Sequence, residues 1–495
     1  MLKLATVFSG IGAIEHALMR MGIKHKIVFA CDNGDINILS KKIKPSIEEI
    51  WNSFFEIESI LEKITLSDEF LEQKCEIIKK LGNLKNNFKN YCDNSIIDLE
   101  DKKIKKKINE FSEKVSMIFE TINTLVIQND LAKIKSYKEK KDYVDNLYAG
   151  KESKNKVMTS YFANYDVRKE DFHWNILFLD GYQYHNKVDL FVGGSPCQSF
   201  SLVGKQRGLD DTRGTLFYEY ARLVSEIKPK VFIYENVKAI LSNDGGKTWN
   251  TIKKVFTELG YNWTYSVLNA KDYGIPQNRE RIFVIGIRND IVLKKNLVFP
   301  PPTKTLDKKM KDYLLDNTSS KYYLPKKGVE FVTNEKNLTK RYTQINGNIS
   351  LCQKKNQQFN WHGDFVFTKK NTNIKQTMTD LEKYFLSEKI EKYVLSTGTK
   401  GFYSKPKTDL EIARPLLRTM HKMHRAGIDN YVTTLGMLRK LTPRECLRLM
   451  GFCDSFKIVV PDIAMYQQAG NSIVVDVLIA ILKQIFDVYD FDLGE

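Results

Sequence analysis

Apolar positions at the start of the chain alternate between short runs and helical spacing. Leu4-Ala5-Thr6-Val7-Phe8 reads as a strand, Ser9-Gly10-Ile11-Gly12 as a turn, and Ile14, Ala17, Leu18 and Met21 as one helix face stopped by Gly22. Ile27-Val28-Phe29-Ala30 is a second strand, ending at Asp32. The same alternation returns after about residue 160. Val188–Val192, Val231–Tyr234 and Arg281–Gly286 read as buried strands, with helices traced by Leu216, Tyr220, Val224 and Ile227 and by Trp249, Ile252, Phe256 and Leu259. Strands alternating with helices predict an α/β fold, a parallel sheet with crossover helices. Ligands in such sheets bind beyond the carboxyl ends of the strands, which is where Asp32, Cys197 and Glu235 fall.

Between these two stretches, residues 41–157 change character. Ile47, Ile50, Trp51, Phe54 and Phe55, and later Ile104, Ile108, Phe111 and Val115, recur at helical spacing among Lys, Glu and Asn. This predicts two or more long amphipathic helices, broken near Leu81-Gly82-Asn83 and Asp93-Asn94-Ser95. The spacing holds no strict heptad, so a helical hairpin or small bundle is expected rather than a coiled coil.

Phe299-Pro300-Pro301-Pro302-Thr303 marks a boundary. The polar region from 296 to 430, with short β-prone runs such as Phe365-Val366-Phe367-Thr368, reads as a separate smaller domain. Thr442-Pro443-Arg444-Glu445 then opens a helix, with Thr442 and Glu445 placed for a capping box and Pro443 in the first turn. A last, strongly apolar helix follows Gly470-Asn471-Ser472. The expected domains are therefore 1–40, 158–295 and 431–495 as one α/β unit, 41–157 as a helical insertion and 296–430 as a separate unit.

Charge sharpens this division. The formal net charge is +17. Residues 301–430 hold 25 Lys and Arg against 13 Asp and Glu, a net +12, whereas 41–157 hold 23 Lys against 21 acids, a net +2. A basic chain whose excess sits in one region points to nucleic acid. No run of 18 apolar residues appears, so no membrane span is expected, and the first residues lack a signal-peptide pattern. Seven scattered cysteines without a CxxC pair argue against a disulfide framework and against a metal site, and fit a reducing cytoplasm.

Four motifs carry candidate chemistry. Phe8-Ser9-Gly10-Ile11-Gly12 allows close backbone approach to a ligand, and Asp32, about 20 residues on, is placed for ribose hydroxyls. Ala13 breaks the phosphate-binding spacing, which a nucleoside ligand without pyrophosphate does not need. In Gly193-Gly194-Ser195-Pro196-Cys197-Gln198, Cys197 sits in a Gly/Pro turn where no core demands a thiol, a setting suited to a nucleophile. Glu235 follows a strand and serves as a proton donor if burial raises its pKa. Gln277, Arg279 and Arg281 share one face of a strand, as either a charged edge or a guanidinium pair anchoring Glu235.

Together these motifs resemble the DNA (cytosine-5)-methyltransferase family. Phe8–Gly12 looks like its cofactor loop, Ser195-Pro196-Cys197-Gln198 like its nucleophile loop, and Glu235-Asn236-Val237, Gln277–Arg281, Leu441–Glu445 and Gly470-Asn471-Ser472 follow in the family's order. The resemblance covers about 1–40, 160–290 and 430–495. It departs at Thr6, where the family often has an acid, at Ala13, where it has a third glycine, and in the long 41–157 insertion. It implies a Rossmann-like S-adenosylmethionine-dependent methyltransferase sheet, with the +12 region as target-recognition domain. S-Adenosylmethionine is then the implied cofactor, held by Phe8, Gly10, Ile11, Gly12, Asp32, Asp180, Asn471 and Ser472. Cys197 attacks cytosine C6, Glu235 serves N3, Arg281 holds O2 and Arg279 orients Glu235. Gln198, Ser201, Lys205, Arg207 and Arg213 close over DNA. The implied partner is double-stranded DNA, with the enzyme a monomer working without metal, in restriction-modification or phage defence. A tRNA-methylating enzyme and a non-catalytic DNA-binding module on the same fold are the alternatives.

Overall fold

The computed structural model describes residues 1–94, 101–196, 216–302, 306–315, 322–324, 326–355, 357, 361–368 and 437–491. The first unit is built on seven strands: β1 Leu2–Val7, β2 His25–Cys31, β3 Phe172–His173, β4 Leu190–Gly193, β5 Val231–Val237, β6 Tyr261–Asn269 and β7 Glu280–Arg288. They lie in the order β3-β2-β1-β4-β5-β7-β6. The chain moves outward from β1 through β2 to β3, then returns to β4 on the other side of β1, so the strand order reverses between β1 and β4. A crevice opens at such a point, beyond the strand ends. The loops after β1 and β4 are the Gly-rich run and Gly193-Gly194, which therefore meet there.

The expected parallel sheet needs one correction. β7 pairs antiparallel with both β5 and β6. The β6 strand was not expected from the sequence, because its burial pattern is mixed and its Trp263 and Tyr265 lie on a partly exposed edge. No crossover helix separates β6 from β7, so the connection folds back and reverses the strand.

Helices cover both sheet faces, which is why central strands such as Val231-Phe232-Ile233-Tyr234 are buried throughout. On one face pack α1 Ala13–Arg20, α6 Lys156–Asn164 and, from the chain's end, three helices described below; on the other lie α7 Leu216–Ile227 and α8 Lys247–Glu258.

The insertion is a helical bundle: α2 Ile47–Lys63, α3 Leu71–Asn94 and α4 Lys102–Lys133 enclose a separate core around Phe54, Phe88, Phe111 and Phe119. Ser46 and Asp101 cap α2 and α4. The expected break at Gly82 is absent, since α3 runs through it. The stripe Ile77, Leu81, Leu84 and Phe88 continues across that position, and its burial outweighs the roughly 1 kcal/mol that glycine costs inside a helix. α5 Tyr137–Leu147 and the end of α4 pack with Leu39, Trp174 and Phe178, anchoring the bundle to the sheet edge.

The described part of the later region holds α9 Lys326–Val332, α10 Glu335–Thr339 and a small sheet of β8 Thr343–Ile345, β9 Gly363–Thr368 and β10 Met437–Lys440. A compact core of Leu324, Val329, Val332, Trp361 and Phe365 supports it. β10 pairs with β9, so the small sheet reaches Lys440, beyond the expected boundary at 430. The chain rejoins the first unit with α11 Pro443–Arg448, α12 Asp462–Asn471 and α13 Val475–Val488. The capping box forms as expected: the Glu445 amide donates to Thr442 Oγ1 at 3.2 Å and the Thr442 amide to Glu445 Oε2 at 2.8 Å. An 18-residue window within 462–488 has a mean hydropathy of 1.6, but this stretch is two helices with apolar faces in the core.

Candidate active site

The loop after β1 turns back on itself, with Phe8, Gly10 and Gly12 at φ of 53°, 55° and 73°. Only glycine adopts this region without strain, and at Gly12 the reason is also steric. A Cβ there would lie 2.2 Å from Tyr165 Cε2. The Tyr165 hydroxyl sits within donor distance of the Ile11 and Gly12 carbonyls, at 2.9 and 2.7 Å, and pins the turn from below. Asp32, at the end of β2, accepts the Gly10 amide on Oδ2 at 2.9 Å and the Gly34 amide on Oδ1 at 2.8 Å. Loss of hydration raises its pKa, and those two amides pull it back.

A hollow opens above this turn. Phe8, Gly10, Ile11, Gly194, Asn471 and Ser472 are among its walls. Of the residues expected around a cofactor, these bring together five, Asp32 stands against Gly10 at the edge, and Gly12 faces Tyr165 beneath the turn. Asp180 lies elsewhere: it caps a short turn before Tyr182 and pairs with Lys140 of α5 at 2.5 Å. The residue beside Asp32 on the neighbouring strand is His173, whose carbonyl accepts the Asp32 amide. Among the described residues no Lys or Arg lines the hollow, so its described walls suit a nucleoside ligand without phosphates and fit S-adenosylmethionine. Thr6, in place of the family's acid, has a carboxylate near it all the same. Its Oγ1 donates to Glu15 Oε1 of α1 at 3.2 Å, and Tyr161 donates to the same oxygen at 2.5 Å. Burial pushes Glu15 up to about 7.

The second half of the site lies across the crevice. Cys197, and with it Gln198, Ser201, Lys205, Arg207 and Arg213, falls outside the described residues. The root of its loop is described. Ser195 Oγ meets the Tyr234 hydroxyl at 2.7 Å, and Asn236 Nδ2 donates to the Ser195 carbonyl at 2.9 Å. A Cβ on Gly194 would stand 2.7 Å from the Glu235 carbonyl and 2.9 Å from Glu235 Oε2. Gly194 thus lets the root of the loop pass directly over the acid.

Glu235 Oε1 is 3.0 Å from Arg281 Nε. The pair forms because β5 and β7 run antiparallel with Val237 opposite Arg281, which brings the two side chains alongside. Burial raises the Glu235 pKa, while Arg281 and then Arg279 oppose the rise. The expected division of roles is corrected here: Arg281, not Arg279, is the partner that orients Glu235. Arg279 is buried, and its guanidinium donates to three backbone carbonyls, Gln353 at 2.7 Å, Gly470 at 3.1 Å and Ser472 at 2.7 Å. Burial and the neighbouring Arg281 lower its pKa to about 10.

Sequence reasoning missed Tyr165, Asn155 and Gln353. Asn155 caps α6 and donates to the Asp32 carbonyl at 3.0 Å. An asparagine opening a helical pattern was its only signal. Tyr165 and Gln353 lie far along the chain from the residues they hold, and no local pattern announces them.

Three comparisons bear on this site. A family model described as C-5 cytosine-specific DNA methylase matches residues 138–487. The Type II methyltransferase M.Bsp6I of Bacillus sp. (strain RFL6) is 32% identical over 360 residues, 70% of this chain and 93% of that protein. The Type II methyltransferase M.HhaI of Haemophilus parahaemolyticus is 34% identical over 290 residues, 59% of this chain and 73% of its own. Among solved structures, the S. pombe Dnmt2 methyltransferase aligns with a TM-score of 0.45 at 16% identity, over 98% of each chain.

Proposed function

The chain belongs to the C-5 cytosine-specific DNA methylase family, and from that premise we propose that it methylates carbon 5 of a cytosine flipped out of double-stranded DNA, with Cys197 as nucleophile. It is a DNA (cytosine-5)-methyltransferase. The observation that carries the finer reading is the placement of Glu235, fixed by Arg281 at 3.0 Å and overlain by the side-chain-free Gly194, three residues before Cys197.

In this reading the target base leaves the stack at a cost of a few kcal/mol. Cys197 thiolate forms a bond to C6 while Glu235, whose pKa burial raises, gives a proton or a hydrogen bond to N3. The ring becomes an enamine, nucleophilic at C5. S-Adenosylmethionine, when bound, supplies the electrophilic methyl group. Loss of the C5 proton to water, β-elimination of Cys197 as thiolate and return of the N3 proton to Glu235 then give 5-methylcytosine. Arg281 orients Glu235 and reaches the base's O2. Phe8, Gly10, Ile11, Asn471 and Ser472 form the walls of the cofactor hollow, with Asp32 at its rim taking the ribose hydroxyls. Gln198, Ser201, Lys205, Arg207 and Arg213 close over the DNA, and the +12 region from 301 to 430 supplies cations for phosphates.

The enzyme works in this reading as a monomer in the cytoplasm, without a metal ion, in a restriction-modification or phage-defence setting; the relatives reported above are named Type II methyltransferases. The test is methyl transfer from labelled S-adenosylmethionine to duplex DNA and, in parallel, to tRNA. Label in DNA cytosine is expected; label in tRNA alone overturns the proposal.

A further inference from the structure

Residues Ser350–Lys355 leave the small sheet and cross to the catalytic unit. They begin tied to β9, where Asp364 accepts the Leu351 amide at 2.8 Å. Ser350 then pairs with the segment before β7: the Asn278 amide donates to its carbonyl at 2.7 Å. Further along, Gln353 offers its amide to Gln277 Oε1 at 3.0 Å and its carbonyl to Arg279. At the far end Lys355 forms an ion pair with Asp35, three residues past Asp32.

The crossing is tight. A Cβ on Gly470 would meet Lys354 C at 2.6 Å and Lys355 N at 2.7 Å, so the strap lies directly on the turn that carries Asn471 and Ser472. Arg279 fastens the two together, with Gln353 on one side and the Gly470 and Ser472 carbonyls on the other. Its Nε is buried without a hydrogen-bond partner among the described residues. Glu235 lies near it but forms its ion pair with Arg281. A guanidinium placed this way is costly as mere filling, since burial of a charge is unfavourable without a paired counter-charge.

We propose that Ser350–Lys355 is a strap coupling the target-recognition region to the cofactor hollow, and that Arg279 is the positioning residue that transmits its placement to Asn471 and Ser472. This rests on the methyltransferase reading above. Movement of the small sheet on DNA shifts the strap, and Arg279 carries the shift to the hollow's wall. Coupling between sites is reciprocal, so DNA tightens cofactor binding and the cofactor tightens DNA binding through the same contact.

The test measures binding of S-adenosylhomocysteine by calorimetry, with and without unmethylated duplex DNA, in the full chain. DNA binding is followed separately by anisotropy. Wild type is expected to bind S-adenosylhomocysteine about 5-fold or more tightly when DNA is present. Arg279→Lys keeps the charge but cannot span three carbonyls, and is expected to reduce that factor below about 2-fold while DNA affinity in the absence of cofactor stays within about 2-fold of wild type. Lys355→Ala, at a half-exposed position, is the milder variant should Arg279→Lys fold poorly, and is expected to give an intermediate factor. Undiminished coupling in a folded Arg279→Lys, or in both variants, overturns the proposal. Wild type that binds both ligands without coupling overturns the strap alone. Wild type that binds neither overturns the methyltransferase reading and the strap with it.

Discussion

Gly194→Ala tests how closely the nucleophile loop passes over the acid. The new Cβ would stand 2.7 Å from the Glu235 carbonyl oxygen and 2.9 Å from its Oε2. A carbon and a carbonyl oxygen ordinarily meet at roughly 3.3 Å, so about 0.6 Å of room must be found. The carbonyl cannot yield, because β5 is paired with β4 on one side and β7 on the other. The loop must lift instead, against the bonds from Tyr234 and Asn236 that hold Ser195. Overpacking of this kind costs about 1–3 kcal/mol, and displacement of a reacting group by a fraction of an ångström to 1 Å costs up to about 100-fold in rate. Single-turnover methyl transfer to duplex DNA is therefore expected to slow by about 10- to 100-fold, with a folded protein and a modestly lower Tm. Wild-type rate and wild-type Tm together would refute the reasoning, since the acid and the loop would then not be in contact.

Gly82→Ala is the opposite case, because nothing lies within 4 Å of the added Cβ inside α3. Urea unfolding is expected to show a gain of about 0.5–1 kcal/mol with unchanged methyl transfer; a loss would mean that the helix is interrupted there. Glu15→Gln addresses the buried carboxyl under the cofactor turn. Its pKa rises from 4.5 to about 7 on folding, so its contribution is complete below about pH 4.5 and is lost as pH rises through about 7, by up to roughly 3 kcal/mol. The glutamine variant is expected to match wild-type Tm near pH 5 and exceed it at pH 8.5, and an equal Tm difference at both pH values would remove the buried carboxyl from the account. Replacing Lys102, Lys103, Lys105 and Lys106 with Gln should leave the salt dependence of DNA affinity unchanged, given the insertion's net charge of +2. A shallower slope would place those lysines on phosphate.

Local signals carried most of what could be read from the chain. The capping box at Thr442 was legible because its donors and acceptors are three residues apart. The motif residues after β1 and β4 were legible because a strand that runs into a glycine turn marks its own end. Reversal of β7 was not, since antiparallel pairing depends on the missing crossover rather than on the strand's composition. The partner of Glu235 followed from that reversal, which is why Arg281 rather than Arg279 pairs with it. Asp180 matched the expected acid by position alone, and the short turn it caps carries it to Lys140 instead. The hold of Tyr165 on the cofactor turn spans an insertion of over a hundred residues, and the contact of Gln353 with Arg279 spans the domain junction. Neither leaves a periodicity to read.

Covalent trapping on duplex DNA containing 5-fluorocytosine, in the presence of S-adenosylmethionine, bears most directly on the chemistry. Fluorine at C5 cannot leave as a proton does, so the adduct at C6 persists. Wild type is expected to give a denaturation-resistant complex whose cross-linked peptide maps to Cys197, and Cys197→Ser to give none while still binding DNA. Methylation surviving in Cys197→Ser, or an adduct mapped to another residue, would contradict it.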